Sequence, residues 1–86
     1  VRSGYTGSQA WTWAHWTGDP FSGWDEDSGL AAQVKAQLTL GLSGIPFSGS
    51  DIGGFVWEEP PSEELWLRWT AVGVVSGMMH TQTGGT

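Results

Sequence analysis

Three short segments of this 86-residue chain combine ionisable or polar side chains with aromatic or glycine residues. They run from Trp16 to Asp19, from Ser48 to Phe55 and from His80 to Gln82. Carboxylates and amides hydrogen-bond hydroxyl groups, whereas aromatic rings pack on the apolar C–H face of a sugar ring. If the three segments converge, they form a pocket whose chemistry suits a carbohydrate.

Each of these side chains also has a simpler interpretation. Asp19 precedes Pro20, and an aspartate in that position is more often a turn residue than a catalyst. Asp51 lies in a loop of glycine and serine, where it can hydrogen-bond its own backbone. His80 can be a structural histidine. None of these signals is specific when it is taken alone.

A first helix is predicted between the first two segments. Its apolar face consists of residues spaced four apart: Leu30, Val34, Leu38 and Leu42. The acidic run from Asp25 to Asp27 falls in or just before its first turn, which suits the positive end of a helix dipole. Gly41 or Gly44 is expected to end it.

A second helix is predicted to begin near Ser62, just after two prolines. Its apolar stripe comprises four residues: Leu65, Trp66, Trp69 and Val72. Trp66 and Trp69 are therefore assigned to the core. Gly73 is expected to stop the helix.

Three apolar runs are too short for helices and predict buried strands: Trp11–Trp16, Gly44–Phe47 and Val74–Met79. Trp11 and Trp13 are expected to lie in the core. Strands that alternate with helices of about a dozen residues predict an α/β fold with a parallel sheet. In such folds reactive groups follow the carboxyl ends of the strands, and all three polar segments are predicted to stand there.

The composition excludes several classes of protein. The chain has no cysteine and no cluster of soft ligands, so no disulfide framework, metal or cofactor is expected. With 3 basic residues and 9 acidic ones, the chain lacks the positive charge that binding to nucleic acid or anionic lipid requires. No apolar run approaches the roughly 20 residues that span a bilayer. The compartment stays unassigned, and the missing cysteines favour the cytoplasm only slightly.

The composition also differs from that of a self-contained domain. Such domains carry about 25% charged residues and about 7% glycine, whereas this chain has 14% charged residues and 14 glycines. Residues 1–86 are therefore predicted to be one fragment of a larger domain whose other parts cover their surface.

Five strings, taken in order, are more specific than any single residue. They are RSGYTGSQ, HWTGD, GLSGIPFSGSDIGGF, ELWLRW and MMHTQ. Together they resemble the second half of the catalytic barrel of glycoside hydrolase family 31, the α-glucosidase and α-xylosidase family. The resemblance covers nearly all of the chain and is strongest in W-x-G-D and in G-L-S-G-I-P-F-x-G-x-D-I-G-G-F.

The resemblance implies a partial (β/α)8 TIM barrel, roughly strands 6 to 8 with the intervening helices, and retaining hydrolysis of an α-linked glycoside. It places the general acid/base on Asp19. It implies a substrate-binding set of four residues: Arg2, Trp16, Asp51 and Phe55. Trp16 and Phe55 would be apolar walls, Arg2 would hydrogen-bond the sugar, and Asp51 would orient the polar network behind Phe55. Many relatives carry an arginine and, two residues later, a histidine where this chain has His80 and Gln82. Gln82 is therefore expected to bond the sugar as a neutral donor and acceptor.

A retaining glycosidase uses two carboxyl groups about 5 Å apart. The family's nucleophile aspartate belongs to a strand upstream of Val1, so the isolated chain is expected to be inactive and to need the remainder of the barrel. Burial against Trp16 would raise the pKa of Asp19, and Arg2 would lower it.

Three alternatives stay open at this stage. The spacing from Arg2 to Asp19 and on to Phe55 is similar to the sulfoquinovosidase branch of the family, although that branch favours a tyrosine at the position of Phe55. A neutral hexose or pentose is the preferred substrate. A non-catalytic carbohydrate-binding module would instead display several tryptophans in a plane on a closed β-sandwich. The third alternative is a catalytically inactive family member.

Overall fold

The computed structural model describes residues 4–84, in which helices alternate with short parallel strands. A 3-10 helix (Ser8–Ala10) is followed by β1 (His15–Trp16), α1 (Leu30–Leu42), β2 (Ser48–Gly49) and α2 (Glu63–Val75). β1 and β2 pair in parallel, with His15 opposite Ser48 and Trp16 opposite Gly49. The predicted α/β arrangement is confirmed for this part of the chain.

Two isolated parallel bridges extend the pairing beyond these strands. Asp51 pairs with His80, and the Ile52 N–H donates to the His80 carbonyl at 2.9 Å. Phe21 pairs with Val56 in the same sense. The backbone segments around β1, β2 and His80 therefore run side by side in chain order, each separated from the next by a helix.

The extended segments are shorter than the apolar runs predicted. Within the run Trp11–Trp16 only the last two residues form a strand, and Gly44–Phe47 ends just before β2. The third prediction is wrong for Val74 and Val75, which belong to α2. That helix ends at Val75, and the N–H of the following residue, Ser76, donates to the Val72 and Gly73 carbonyls.

Helix α1 confirms the predicted span but buries less of its face than expected. Leu30 is buried and Val34 packs against the core, whereas Leu38 and Leu42 are 65% and 92% exposed. The helix passes through Gly41, and Gly44 follows its end at a φ of 84°. A positive φ at this position suits a glycine, as predicted.

The acidic run before α1 forms a local turn. One carboxylate oxygen of Asp25 accepts hydrogen bonds from the N–H groups of Asp27, Ser28 and Gly29. The bonds from Ser28 and Gly29, the largest causes, hold the pKa of the Asp25 carboxyl below its ordinary value. Asp25 therefore orders the chain that leads into the helix.

The core lies between α2, α1 and the loop after β2. Its buried members are Leu30, Ile52, Leu65 and Trp69, with Val34, Trp66 and Val72 packed against them. The Ser62 hydroxyl caps α2 by accepting the Leu65 N–H at 3.2 Å. The prediction that Gly73 stops α2 is wrong, because Gly73 lies inside the helix, where an added Cβ would stand 2.8 Å from Cδ1 of Ile52.

Trp11 and Trp13 are 89% and 98% exposed, so the prediction that they lie in the core is wrong for the core that residues 4–84 form. They lie between the 3-10 helix and β1, in irregular chain that no described element covers. Together with Pro46 and Phe47 they line an open groove of about 630 Å³ at the amino ends of β1 and β2. None of the helices between residues 4 and 84 has the length and apolar character of a membrane span.

Candidate functional site

A cleft of about 520 Å³ lies where the parallel segments end. Its lining consists of Trp16, Asp51, Phe55, Met78, Met79, His80 and Gln82. Trp16 is the last residue of β1, and Asp51 follows β2. Parallel strands bring their carboxyl ends to one edge, which is why residues so distant in sequence share this cleft. Four of the six predicted site residues meet here.

Glycine at the end of β2 allows the walls of the cleft to approach each other. A Cβ on Gly49 would lie 2.9 Å from Cζ3 of Trp16 and 3.0 Å from Cβ of Met78. Both distances are at or below the closest approach of real Cβ atoms. The Trp16 ring and the segment before His80 therefore pack directly on this stretch of backbone.

A continuous set of side-chain contacts crosses the cleft. Trp16 Nε1 donates to Asp51 Oδ2 at 3.2 Å. The Trp16 ring meets the His80 ring edge-on, with centroids 5.8 Å apart and planes inclined by 69°. His80 Nε2 lies 3.3 Å from Gln82 Oε1. Asp51 is the most deeply buried of the four, at 2% exposure.

The backbone N–H and carbonyl of Phe55 are both hydrogen-bonded to other segments of the chain. Its N–H donates to the Pro20 carbonyl at 2.8 Å, and its own carbonyl accepts the Gly84 N–H at 2.9 Å. The Thr83 hydroxyl donates to the same carbonyl at 3.1 Å. The loops after β1 and β2 are therefore joined at Phe55.

Asp19 lies on the loop after β1 and is exposed, outside the cleft lining. Two backbone hydrogen bonds anchor that loop. The Thr17 N–H donates to the Gly49 carbonyl at 3.1 Å, and the Pro20 carbonyl accepts the Phe55 N–H at 2.8 Å. Asp19 thus stands on the same side of the sheet as Asp51 and Gln82, since each follows the carboxyl end of a parallel segment. The remaining predicted site residue, Arg2, lies outside the described residues.

Two cleft residues were missed by sequence reasoning. Met78 and Met79 were assigned to a buried strand, yet they are 38% and 58% exposed and line the cleft. Their position directly before His80 was the available signal. No group of three or more potential metal ligands occurs among residues 4–84.

Parallel segments joined by helices define an α/β fold, and the aromatic and polar cleft lies at the carboxyl ends of those segments, where such folds commonly hold their sites. The chain matches the glycosyl hydrolases family 31 TIM-barrel domain over residues 1–85, and it belongs to that family. The resemblance seen in the five sequence strings is confirmed.

Individual relatives are glycosidases. The chain is 41% identical to the sulfoquinovosidase of Escherichia coli (strain K12) over 86 residues, which are 98% of this chain and 13% of that protein. It is 44% identical to a probable glucan 1,3-alpha-glucosidase of Oryza sativa subsp. japonica over 72 residues, 84% of this chain and 7% of that protein. The chain therefore spans a small part of the length of these curated relatives.

A solved structure shows the same fold. The chain is similar to a chain in the crystal structure of the ER glucosidase II heterodimeric complex, which consists of the catalytic subunit and the binding domain of the regulatory subunit. The TM-score is 0.72 at 31% identity, over 85% of this chain and 8% of that chain.

Proposed function

We propose that residues 1–86 form part of the catalytic barrel of a retaining α-glycosidase and carry its general acid/base but not its nucleophile. They supply roughly strands 6 to 8 of a (β/α)8 barrel, and the remainder of that barrel is their partner. The observation that carries the proposal is the cleft at the carboxyl ends of the parallel segments, where Trp16, Asp51, Phe55 and Gln82 meet.

In this proposal Asp19 protonates the leaving oxygen and later activates the attacking water. The exposed carboxyl on the loop after β1 is accessible to both. A nucleophilic carboxylate about 5 Å away, from another strand of the barrel, attacks the anomeric carbon. Bound sugar and the surrounding barrel would enclose Asp19 and exclude bulk water from the reacting groups.

The proposed substrate is a neutral α-linked hexose or pentose. Trp16 and Phe55 form apolar walls for the sugar ring, while Asp51 and Gln82 supply the polar side of the cleft. Arg2, which lies outside the described residues, is proposed to hydrogen-bond the sugar and to steady the acid/base carboxyl. No cofactor is part of the proposal.

A sulfoquinovosidase-like activity is the second candidate. It is favoured by the 41% identity to the Escherichia coli sulfoquinovosidase over 98% of this chain. Phe55 argues against this candidate. Its side chain has no hydroxyl group that could hydrogen-bond a water molecule bound to the sulfonate. Comparing kcat/KM of the full-length protein on aryl α-glucoside, α-xyloside and α-sulfoquinovoside decides between the two candidates.

A carbohydrate-binding module fits the structure less well. The described residues form parallel segments joined by helices rather than a β-sandwich. Trp69 is fully buried on α2, although Trp11 and Trp13 are exposed. Loss of hydrolysis in Asp19→Asn of the full-length protein would exclude a module that only binds, because such a module contributes no catalytic carboxyl group.

Replacing the acid/base tests the proposal most directly. In the full-length protein, Asp19→Asn should lower kcat/KM on a natural disaccharide by about 10² to 10⁴-fold, because general acid catalysis contributes that much. The first step with an aryl glycoside of very good leaving group should be spared, and added azide should restore turnover because it needs no general base.

The matched control is Asp27→Asn, which alters an exposed carboxyl on the turn before α1 and should leave kcat/KM unchanged. Unchanged turnover of the natural disaccharide by Asp19→Asn would contradict the assignment of the acid/base.

A further inference from the structure

Two consecutive residues after β2 each accept a hydrogen bond from a tryptophan indole. Ser50 Oγ accepts from Trp69 Nε1 at 3.0 Å, and Asp51 Oδ2 accepts from Trp16 Nε1 at 3.2 Å. Successive side chains of an extended segment point to opposite faces. Ser50 accordingly binds the tryptophan of the core, whereas Asp51 binds the tryptophan of the cleft.

The two acceptors differ in chemistry although both are buried, at 5% and 2% exposure. A hydroxyl suffices to satisfy the core indole of Trp69. A carboxylate is more costly to bury than a hydroxyl, and it offers two acceptor oxygens where the hydroxyl offers one. Ser50 thus satisfies an indole N–H on the core side with a hydroxyl, whereas Asp51 presents a carboxyl group to the indole on the cleft side.

The Trp16 indole is constrained on three sides. Its Nε1 is held by Asp51, its ring meets His80 edge-on, and its Cζ3 packs against the backbone at Gly49. The contacts with His80 and Gly49 restrict the ring by shape alone. The Asp51 bond is directional, because the indole nitrogen must face the carboxylate.

We propose that Asp51 is a positioning residue, whose carboxylate holds the Trp16 indole in the orientation that forms the wall of the sugar cleft. Asp51 acts on the substrate through Trp16 rather than by touching the sugar. This inference rests on the proposed function. The resemblance implies a general orienting role for Asp51 behind Phe55, and the inference names Trp16 as the group through which Asp51 acts. A wall contacts the sugar in the ground state and the transition state alike, so its loss is expected in KM more than in kcat.

A double-mutant cycle in the full-length protein tests whether Asp51 acts through Trp16. Asp51→Asn keeps the shape but weakens the bond, and should raise KM for an aryl α-glycoside about tenfold with kcat changed less than about threefold. Trp16→Phe removes the indole N–H and keeps an aromatic wall. In that background Asp51→Asn should change KM less than about twofold, because coupled residues are not additive.

An equal rise of KM in both backgrounds would overturn the proposal, since Asp51 would then act without Trp16. Ser50→Ala is the matched control, because it removes the neighbouring indole acceptor on the core side. It should lower the melting temperature and leave KM unchanged. A rise of KM in Ser50→Ala equal to that in Asp51→Asn would likewise count against a specific role for Asp51.

A spectroscopic readout separates this proposal from the proposed function. In full-length protein labelled with 5-fluorotryptophan, the ¹⁹F signals of Trp16 and Trp69 are assigned by their loss in Trp16→Phe and Trp69→Phe. Asp51→Asn should shift the Trp16 signal alone, and Ser50→Ala the Trp69 signal alone. An unmoved Trp16 signal in Asp51→Asn overturns the positioning role. Failure of the protein to hydrolyse any glycoside contradicts only the proposed function, and the Trp16 signal can be measured in either case.

Discussion

At the scale of single residues, the loop after β2 depends on two glycines with positive φ. Gly53 and Gly54 have φ values of 84° and 87°. A Cβ on Gly54 would stand 2.7 Å from the backbone N and Cα of Ser22. Both the positive φ and the close approach of the two loops therefore require a residue without a Cβ at position 54. Gly54 directly precedes Phe55, which lines the cleft.

Gly54→Ala should consequently disturb the cleft as well as the fold. The positive φ alone costs about 1–2 kcal/mol in a residue with a Cβ, and the contact with rigid backbone forces the loops apart in addition. We expect a lower melting temperature and a higher KM of the full-length protein. Gly7→Ala is the control, because Gly7 has a φ of 95° and nothing within 4 Å of its added Cβ. Equal effects of the two substitutions on KM would contradict this account.

The residue types of the cleft could be predicted, but their contacts could not. Trp16, Asp51, Phe55 and Gln82 were singled out from their motifs, and they line one cleft. The bond between Trp16 and Asp51 joins residues 35 positions apart. It depends on the register of two strands and the approach allowed by Gly49, neither of which local sequence encodes.

At the scale of elements, the start of α2 is encoded locally. Ser62 was predicted near the first turn, and its hydroxyl caps the helix through the Leu65 N–H. Glu63 and Glu64 lie in that turn, where negative charge suits the helix dipole. The end of α2 differs from the prediction, because Gly73 lies inside the helix next to the Ile52 side chain and does not end it.

Removing the cap should loosen α2 without altering the cleft chemistry. Ser62→Ala leaves the Leu65 N–H without its acceptor and should lower the free energy of unfolding by about 1 kcal/mol. Ser62→Asp restores an acceptor and should recover most of that loss. Thermal unfolding of the full-length variants measures both effects. An Asp variant that melts as low as the Ala variant would show that the cap does not support the helix.

At the scale of the whole molecule, apolar surface and low charge point to further covering structure. Trp11, Trp13 and Phe47 line the groove at the amino ends of the strands and are largely exposed within the described part of the chain. Charged residues make up only 14% of the sequence. Both features agree with the proposal that the remainder of a barrel packs around residues 1–86.

The proposal predicts that the 86-residue polypeptide by itself hydrolyses no glycoside. It carries the proposed acid/base, Asp19, whereas retaining hydrolysis needs a second carboxylate as the nucleophile. We expect no turnover of an aryl α-glycoside above background, with the full-length protein assayed alongside as the positive control. Measurable turnover by the isolated polypeptide would refute the division of the two carboxyl groups.

The sequence by itself determined the two helices, the family and the residue types of the cleft. Helix periodicity and caps are local properties, and the order and spacing of the motif strings can be read directly from the sequence. Only the tertiary structure decided that Trp11 and Trp13 stand exposed, that Val74 and Val75 continue α2, and that Asp51 binds Trp16. Such contacts join residues far apart in sequence, so they depend on strand register and packing rather than on local preference.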